Sequence, residues 1–137
     1  MPWSFVAEQL TQALNYWVVT VGRGERPHAA PVWGVFSGDD LLLETSPSTR
    51  KAPNLARNPS VVVHTESAEQ VVIVEGTAVP FGPPPEISER LCRAFAAKYE
   101  GYEPDPAEWT EGALFRIVPS VVFAWRDMPT ATCRRFR

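Results

Sequence analysis

The sequence predicts a mainly β, α+β barrel in a single domain, and three observations carry that expectation. Extended, β-branched segments follow one another with only turn residues between them, which favours antiparallel neighbours. Helical spacing is confined to residues 4–15 and 86–99, with a short break-and-turn region at 47–58, so no alternation of strand and helix builds a doubly wound sheet. The chain has 137 residues, 45% of them hydrophobic and 21% charged, enough for one modest core and too few for two.

Taken in order, residues 4–15 predict a helix, with Ser4 as N-cap and Val6, Leu10, Ala13 and Leu14 at helical spacing. Tyr16 to Val21 is aromatic and β-branched and predicts a strand, closed by the turn Gly22-Arg23-Gly24-Glu25. His28 to Phe36 predicts a second strand. Pro31 has no N–H to give a ladder, which assigns it to an edge or a bulge. After Ser37-Gly38-Asp39-Asp40, Leu41 to Thr45 forms a third strand. Pro47 to Asn58 then breaks the pattern, with Leu55 and Ala56 marking a short helix that Pro53 limits. Ser60 to Thr65 and Gln70 to Val79 form the clearest antiparallel pair, with Gly76 predicting a bulge. Glu86 to Tyr99 predicts a helix with Ile87, Leu91, Ala94 and Phe95 as its core stripe. Glu86 with Arg90 and Glu89 with Arg93 are four-residue pairs, and Gly101 is the stop. Ala113 to Trp125 is the last strand, divided at Pro119.

Charge and composition remove several function classes. Thirteen basic and 16 acidic residues give a net charge of −3, against the basic face a nucleic-acid partner requires. The basic tail, Arg134, Arg135 and Arg137, is expected to be a solvated end. Cys92 and Cys133 have no metal-ligand spacing and His28 and His64 stand apart from them, so no metal site is expected, and Cys92 is read as a reduced core residue. The stretch MPWSFVAEQL lacks a basic region before an apolar run, and no apolar run is long enough for a bilayer, so the expected location is cytoplasmic with no membrane partner. Nucleophile elbow, paired metal-binding histidines and Gly-rich phosphate loop are all missing, which leaves side-chain acid–base or covalent catalysis without support.

The chemically informative stretch is Thr45-Ser46-Pro47-Ser48-Thr49-Arg50-Lys51-Ala52-Pro53-Asn54-Leu55. It sets hydroxyls and two cations where a strand gives way to a helical turn, whose free N–H groups attract anions. Arg50 can grip phosphate oxygens in a fork and Lys51 adds a mobile point charge. The same residues also suit a capped, solvated surface helix. Trp33, in His28-Ala29-Ala30-Pro31-Val32-Trp33-Gly34, has small neighbours that let a planar ring lie against the backbone, and it equally suits a core or dimer-interface position. Trp125-Arg126 either caps a ligand or anchors the last strand.

In order and spacing these segments resemble the pyridoxamine 5'-phosphate oxidase-like superfamily, the flavin/deazaflavin oxidoreductases. The matching pieces are Tyr16 to Val21, Arg26 to Val35, Ser48 to Pro59, Val74 to Ala78, Ala97-Lys98-Tyr99 and Val122 to Trp125. The resemblance implies a six-stranded antiparallel split β-barrel of the FMN-binding type, with flanking helices. It also implies a homodimer with cofactor sites at the subunit interface, FMN in many members and coenzyme F420 in others. On this likeness Lys51 meets the cofactor phosphate with Thr45, Ser46, Thr49 and Arg50, and Pro31, Val32 and Trp33 line the ring. Trp125 and Arg126 reach the site from the partner subunit. The chain lacks the Arg-x-His pattern at the C-terminal end of true pyridoxamine 5'-phosphate oxidases, so synthesis of pyridoxal phosphate is not expected. Arg23, Arg26 and Arg57 are candidates for the acidic tail of F420. The expected function is therefore an FMN- or F420-dependent oxidoreductase acting on a small molecule, with FMN first. A non-catalytic flavin or deazaflavin carrier is the alternative, and a base-stacking barrel is disfavoured by the acidic charge.

Overall fold

The computed structural model describes residues 1–46, 48–127 and 132–136. Pro47, in the predicted anion-binding stretch, and Arg137, in the basic tail, lie outside the described residues, as do residues 128–131. The elements in chain order are α1 (Trp3–Gln12), β1 (Tyr16–Val21), β2 (Pro27–Val32), β3 (Gly34–Ser37), β4 (Asp40–Glu44), α2 (Lys51–Arg57), β5 (Ser60–His64), β6 (Gln70–Pro80), α3 (Pro85–Lys98), the short turn α4 (Pro106–Glu108), β7 (Leu114–Arg126) and β8 (Thr132–Arg135).

All strand pairs are antiparallel, in the order β2-β1-β5-β6-β7-β4-β3, with β8 added beside β7. The first and last members of that order are separated in sequence by Trp33 alone. They are two halves of one extended segment, pairing with β1 through Pro27–Val32 and with β4 through Gly34–Ser37. Counting the halves once turns the seven-strand path into a six-stranded sheet closed on itself. Each half pairs on one side only, and Pro31, opposite Trp17, is tolerated on such an edge, where this segment changes partner.

The barrel interior is filled by Tyr16, Val18, Leu43, Val63, Val72 and their neighbours, with α1 plugging one end through Phe5, Val6 and Leu10. A second cluster forms outside the barrel, where Leu91, Phe95 and Tyr99 of α3 meet Val35, Leu42, Trp109 and Leu114. The strand pattern alternates because each strand faces this core with one side only. Gly76 sits at the predicted bulge: the β6–β7 register shifts between Glu75 and Gly76, and a Cβ there would lie 2.1 Å from the Val118 carbonyl oxygen.

Several boundaries differ from expectation for physical reasons. α1 starts at Trp3 after Pro2 and ends at Gln12, so Ser4 lies inside the helix and is no cap. Leu14, expected in its stripe, is exposed, because the helix has already ended and Tyr16 donates its hydroxyl to the Leu10 carbonyl. In α3, Glu89 and Arg93 pair at 3.5 Å, but both side chains are well exposed and the pair contributes little. Gly101 does stop the helical region, at φ +77°. The predicted second strand is interrupted at Trp33, which no local pattern announces. Among the described residues, no helix is long and apolar enough to cross a membrane.

Candidate functional site

Two cavities flank the β2 segment. The first forms where that segment breaks. Val32 points inward and is buried, whereas Pro31 and Trp33 face outward, Trp33 being 42% exposed. Gly34 makes the break possible, because a Cβ there would lie 2.5 Å from Leu43 Cδ2 and 2.6 Å from the Leu42 carbonyl oxygen. Its N–H donates to the Tyr99 hydroxyl at 2.9 Å, and Tyr99 stacks on the Trp33 indole at a centroid distance of 4.3 Å and 10° between planes. Tyr102 meets the same indole edge to face at 5.3 Å.

The end of β4 closes this cavity. The Glu44 N–H donates to the Trp33 carbonyl and the Thr45 N–H to the Ala113 carbonyl. The half-buried Glu44 carboxylate accepts from Trp109 Nε1 at 2.9 Å and from the Tyr102 hydroxyl. Burial pushes its pKa above the usual carboxylate value; the two donors pull it back only in part, and Glu108 pushes it further up. Thr45 is 5% exposed, and its Oγ1 is buried with no hydrogen-bond partner. The cavity, of about 470 Å³, is lined by Pro31, Val32, Trp33, Glu44, Thr45, Ser46, Tyr102 and Glu108, among others.

The second cavity, of about 920 Å³, lies between the Gly22–Pro27 turn and α2. Asn54 donates from Nδ2 to Thr20 Oγ1 at 3.0 Å and accepts from Arg57 Nη2 at 2.9 Å, which pins α2 against β1. Arg23, Arg26, Arg50 and Arg57 line this cavity with His28, and no carboxylate joins them. His28 Nδ1 is buried without a partner.

Lys51 opens α2, beside Arg50, and is in the lining of neither cavity. The residue is only 7% exposed, and its ammonium has no hydrogen bond or ion pair among the described residues. Burial lowers its pKa. The hydroxyls beside it are partly self-satisfied: Ser46 Oγ and Ser48 Oγ lie 2.8 Å apart, and Thr49 Oγ1 donates to the Ser46 carbonyl at 2.8 Å. α2 has seven residues, so the help expected from its dipole is small.

Of the residues singled out from sequence, Pro31, Val32, Trp33, Thr45 and Ser46 share the first cavity, and Arg50 lines the second. Thr49 is half-buried in the turn between them, next to Arg50 and Lys51. Trp125 and Arg126 line neither. They occupy the opposite end of β7 from Ala113, where the Arg126 guanidinium lies over the Phe5 ring. Sequence reasoning missed Glu44, Tyr102, Glu108 and Trp109. The one available signal was Glu44, a lone charge ending the apolar run Leu41-Leu42-Leu43.

The family model for pyridoxamine 5'-phosphate oxidase matches residues 4–126. The search of curated proteins returned no match. Among solved structures, a conserved hypothetical protein of Mycobacterium tuberculosis superposes with a TM-score of 0.74 at 23% identity, covering 93% of this chain and 86% of that one. An F420 reductase superposes with a TM-score of 0.64 at 18% identity, covering 84% and 93%. A heme binding protein from Mycobacterium smegmatis does so with a TM-score of 0.70 at 15% identity, covering 98% and 58%. At such identities the likeness is one of fold, and proteins of this fold differ in what they hold. The barrel closed through Trp33 and the match over residues 4–126 make this chain a member of the pyridoxamine 5'-phosphate oxidase-like superfamily.

Proposed function

We propose that the protein is an oxidoreductase that uses FMN or F420 bound by its phosphate at Lys51, with a small molecule as substrate. The observation that carries this reading is Lys51, a residue only 7% exposed whose ammonium has no partner among the described residues. A lysine in that condition lowers the stability of the empty protein, and an anion docked on it removes the penalty. The unpartnered His28 Nδ1 on the wall of the arginine cavity supports the same fit.

The bound flavin or deazaflavin ring supplies the electron-transfer chemistry. The chain's residues bind and orient it. Arg50 and Lys51 hold the phosphate, Ser46 and Thr49 shape the turn that presents them, and Pro31, Val32 and Trp33 offer a wall for the ring. Tyr99, stacked behind Trp33, keeps that wall flat. His28 and Pro31 belong to the two cavities and stand on one strand, about 10 Å apart at extended spacing. The ligand in this reading is elongated, planar at one end and anionic at the other.

The arginine cavity favours F420 as a specific second reading, because Arg23, Arg26, Arg50 and Arg57 suit a tail with several carboxylates. A homodimer belongs to the proposal as well, with the exposed Trp17 and Trp33 as surface for a second copy and Trp125 and Arg126 supplied across the interface. The test is equilibrium titration of the purified protein with FMN and F420 side by side, together with sedimentation for the oligomeric state. Micromolar or tighter binding of either cofactor supports the reading, and binding of neither removes it.

A further inference from the structure

The cavity at Trp33 contains a second unmatched charge, opposite in sign to Lys51. Glu44 is half-buried, both its carboxylate oxygens are oriented by donors from Tyr102 and Trp109, and no cation pairs with it among the described residues. Two neutral donors fix a carboxylate in place without cancelling its charge. Glu108 adds a further negative charge on the same wall, and no Lys, Arg or His lines the cavity. Independently of the carboxylates, Thr45, 5% exposed, leaves a buried hydroxyl without a partner among the described residues in that lining. Trp33 and Tyr102 present ring surface beside these groups, and Trp33 is the more exposed of the two.

From this geometry we infer that the Trp33 cavity selects a substrate bearing a protonated amine nitrogen on an apolar body. Glu44 takes the charged head, Trp33 and Tyr102 offer it π-faces, and the Thr45 hydroxyl accepts from a nitrogen-bound hydrogen. The inference deepens the proposed function, since it names the substrate class for the same site and rests on that reading for the term substrate. The nitrogen-binding character itself does not depend on the cofactor.

The contrast with the arginine cavity gives the assignment its direction. An anionic cofactor end is drawn to Arg23, Arg26, Arg50 and Arg57, whereas a cation is repelled there and drawn to Glu44 and Glu108. The two cavities along β2 thus sort two ligands by sign.

The test uses three probes with one apolar body and different heads: phenethylamine, protonated at neutral pH, phenethyl alcohol and 3-phenylpropionate. Each is titrated calorimetrically into the full chain with and without saturating FMN or F420. The amine is expected to bind at least about tenfold more tightly than the alcohol, with the propionate weakest. Glu44→Gln should erase most of the amine's advantage, with circular dichroism confirming the fold. Glu108→Gln, at an exposed position, should reduce it by about two- to threefold without any folding risk. Equal binding of all three probes, preference for the propionate, or an advantage untouched by both substitutions would overturn the inference. Cofactor titration in the same samples keeps the two claims apart. Amine selectivity without cofactor binding sinks the proposed function alone, and cofactor binding without amine selectivity sinks this inference alone.

Discussion

Two lysines are withdrawn from solvent in this small protein, and their surroundings could hardly differ more. Lys98 ends α3, the favourable end of a helix for a cation, and donates to the Tyr16 hydroxyl at 2.8 Å and to the Gly34 carbonyl at 2.7 Å. Its ammonium also lies 4.6 Å from the centre of the Tyr16 ring. Lys51 begins α2 and has no such partner. Burial lowers the pKa of both. The first is a brace: it ties α3 to the Gly34 break in the barrel and so supports the wall under Trp33. In the proposed function the second is a socket. The difference teaches that burial alone does not distinguish the two lysines; their partners do.

Replacing each lysine by an apolar side chain of similar length separates brace from socket most directly. Lys51→Met is expected to weaken FMN or F420 binding by about 100-fold, the effect of losing a charge-assisted contact to phosphate. The same change should raise the stability of the cofactor-free protein by up to about 1 kcal/mol, since it removes a partly desolvated charge that has no partner among the described residues. Paired titrations and thermal melts check both signs; a loss of stability together with unchanged cofactor affinity would make Lys51 a brace as well.

The next largest effect belongs to the brace's neighbour. Tyr99→Phe removes the hydroxyl that accepts from Gly34 N–H and lies within hydrogen-bonding distance of the Gly34 and Leu14 carbonyls. A buried N–H without a partner costs about 1–3 kcal/mol, which urea denaturation would read as a lower midpoint at constant slope. The ring stack on Trp33 survives that change. Cofactor affinity should therefore fall far less than in Lys51→Met, and an equal fall would erase the distinction. Lys98→Met comes third, with a loss of about 1 kcal/mol. The Gly34 carbonyl keeps Tyr99 and the Tyr16 hydroxyl keeps Leu10, so neither is orphaned when the ammonium goes.

The barrel was legible in the sequence because its signal is local: Tyr16–Val21 was recovered to the residue, and Gly76 announced its own bulge. Closure was less so, since only the resemblance implied six strands and only the structure shows that one segment, broken at Trp33, serves as both ends of the sheet. The cations of the proposed site are adjacent in the sequence, Arg50 and Lys51 in one polar turn. The acidic wall of the Trp33 cavity was not legible. Glu44, Tyr102 and Trp109 are joined across 58 and 65 residues of sequence, and no spacing rule connects a strand end to an irregular turn. The hydroxyls of that turn are less free than its sequence suggests, as Ser46 Oγ and Ser48 Oγ face each other and Thr49 Oγ1 donates to the Ser46 carbonyl.

The smallest predicted effect is also the sharpest test of the comparison, because it concerns slope rather than stability itself. The pKa of Lys98 falls to about 8 in the folded protein, against about 10.4 for a free lysine. Between those values the unfolded chain holds a proton that the folded chain has released, so stability rises with pH across the window and is flat below it. Tyr16, Tyr99 and Tyr102, whose pKa values burial raises, contribute the opposite sign once free tyrosine ionises near pH 10, and the Cys92 thiol, also raised by burial, does so from about pH 8.5 equally in wild type and variant. Measurements from about pH 8 to 9.5 avoid the tyrosines. Within that range Lys98→Met should flatten part of the rise, on the order of 1 kcal/mol, whether or not an anion is present. Lys51 contributes a rise of the same sign, but phosphate docked on it stabilises the charged form and raises its pKa again. Saturating cofactor should therefore remove the Lys51 part of the slope and leave the Lys98 part intact. A slope that ignores cofactor in the wild type, or that survives Lys98→Met unchanged, would mean the two lysines are not the two different devices their partners make them.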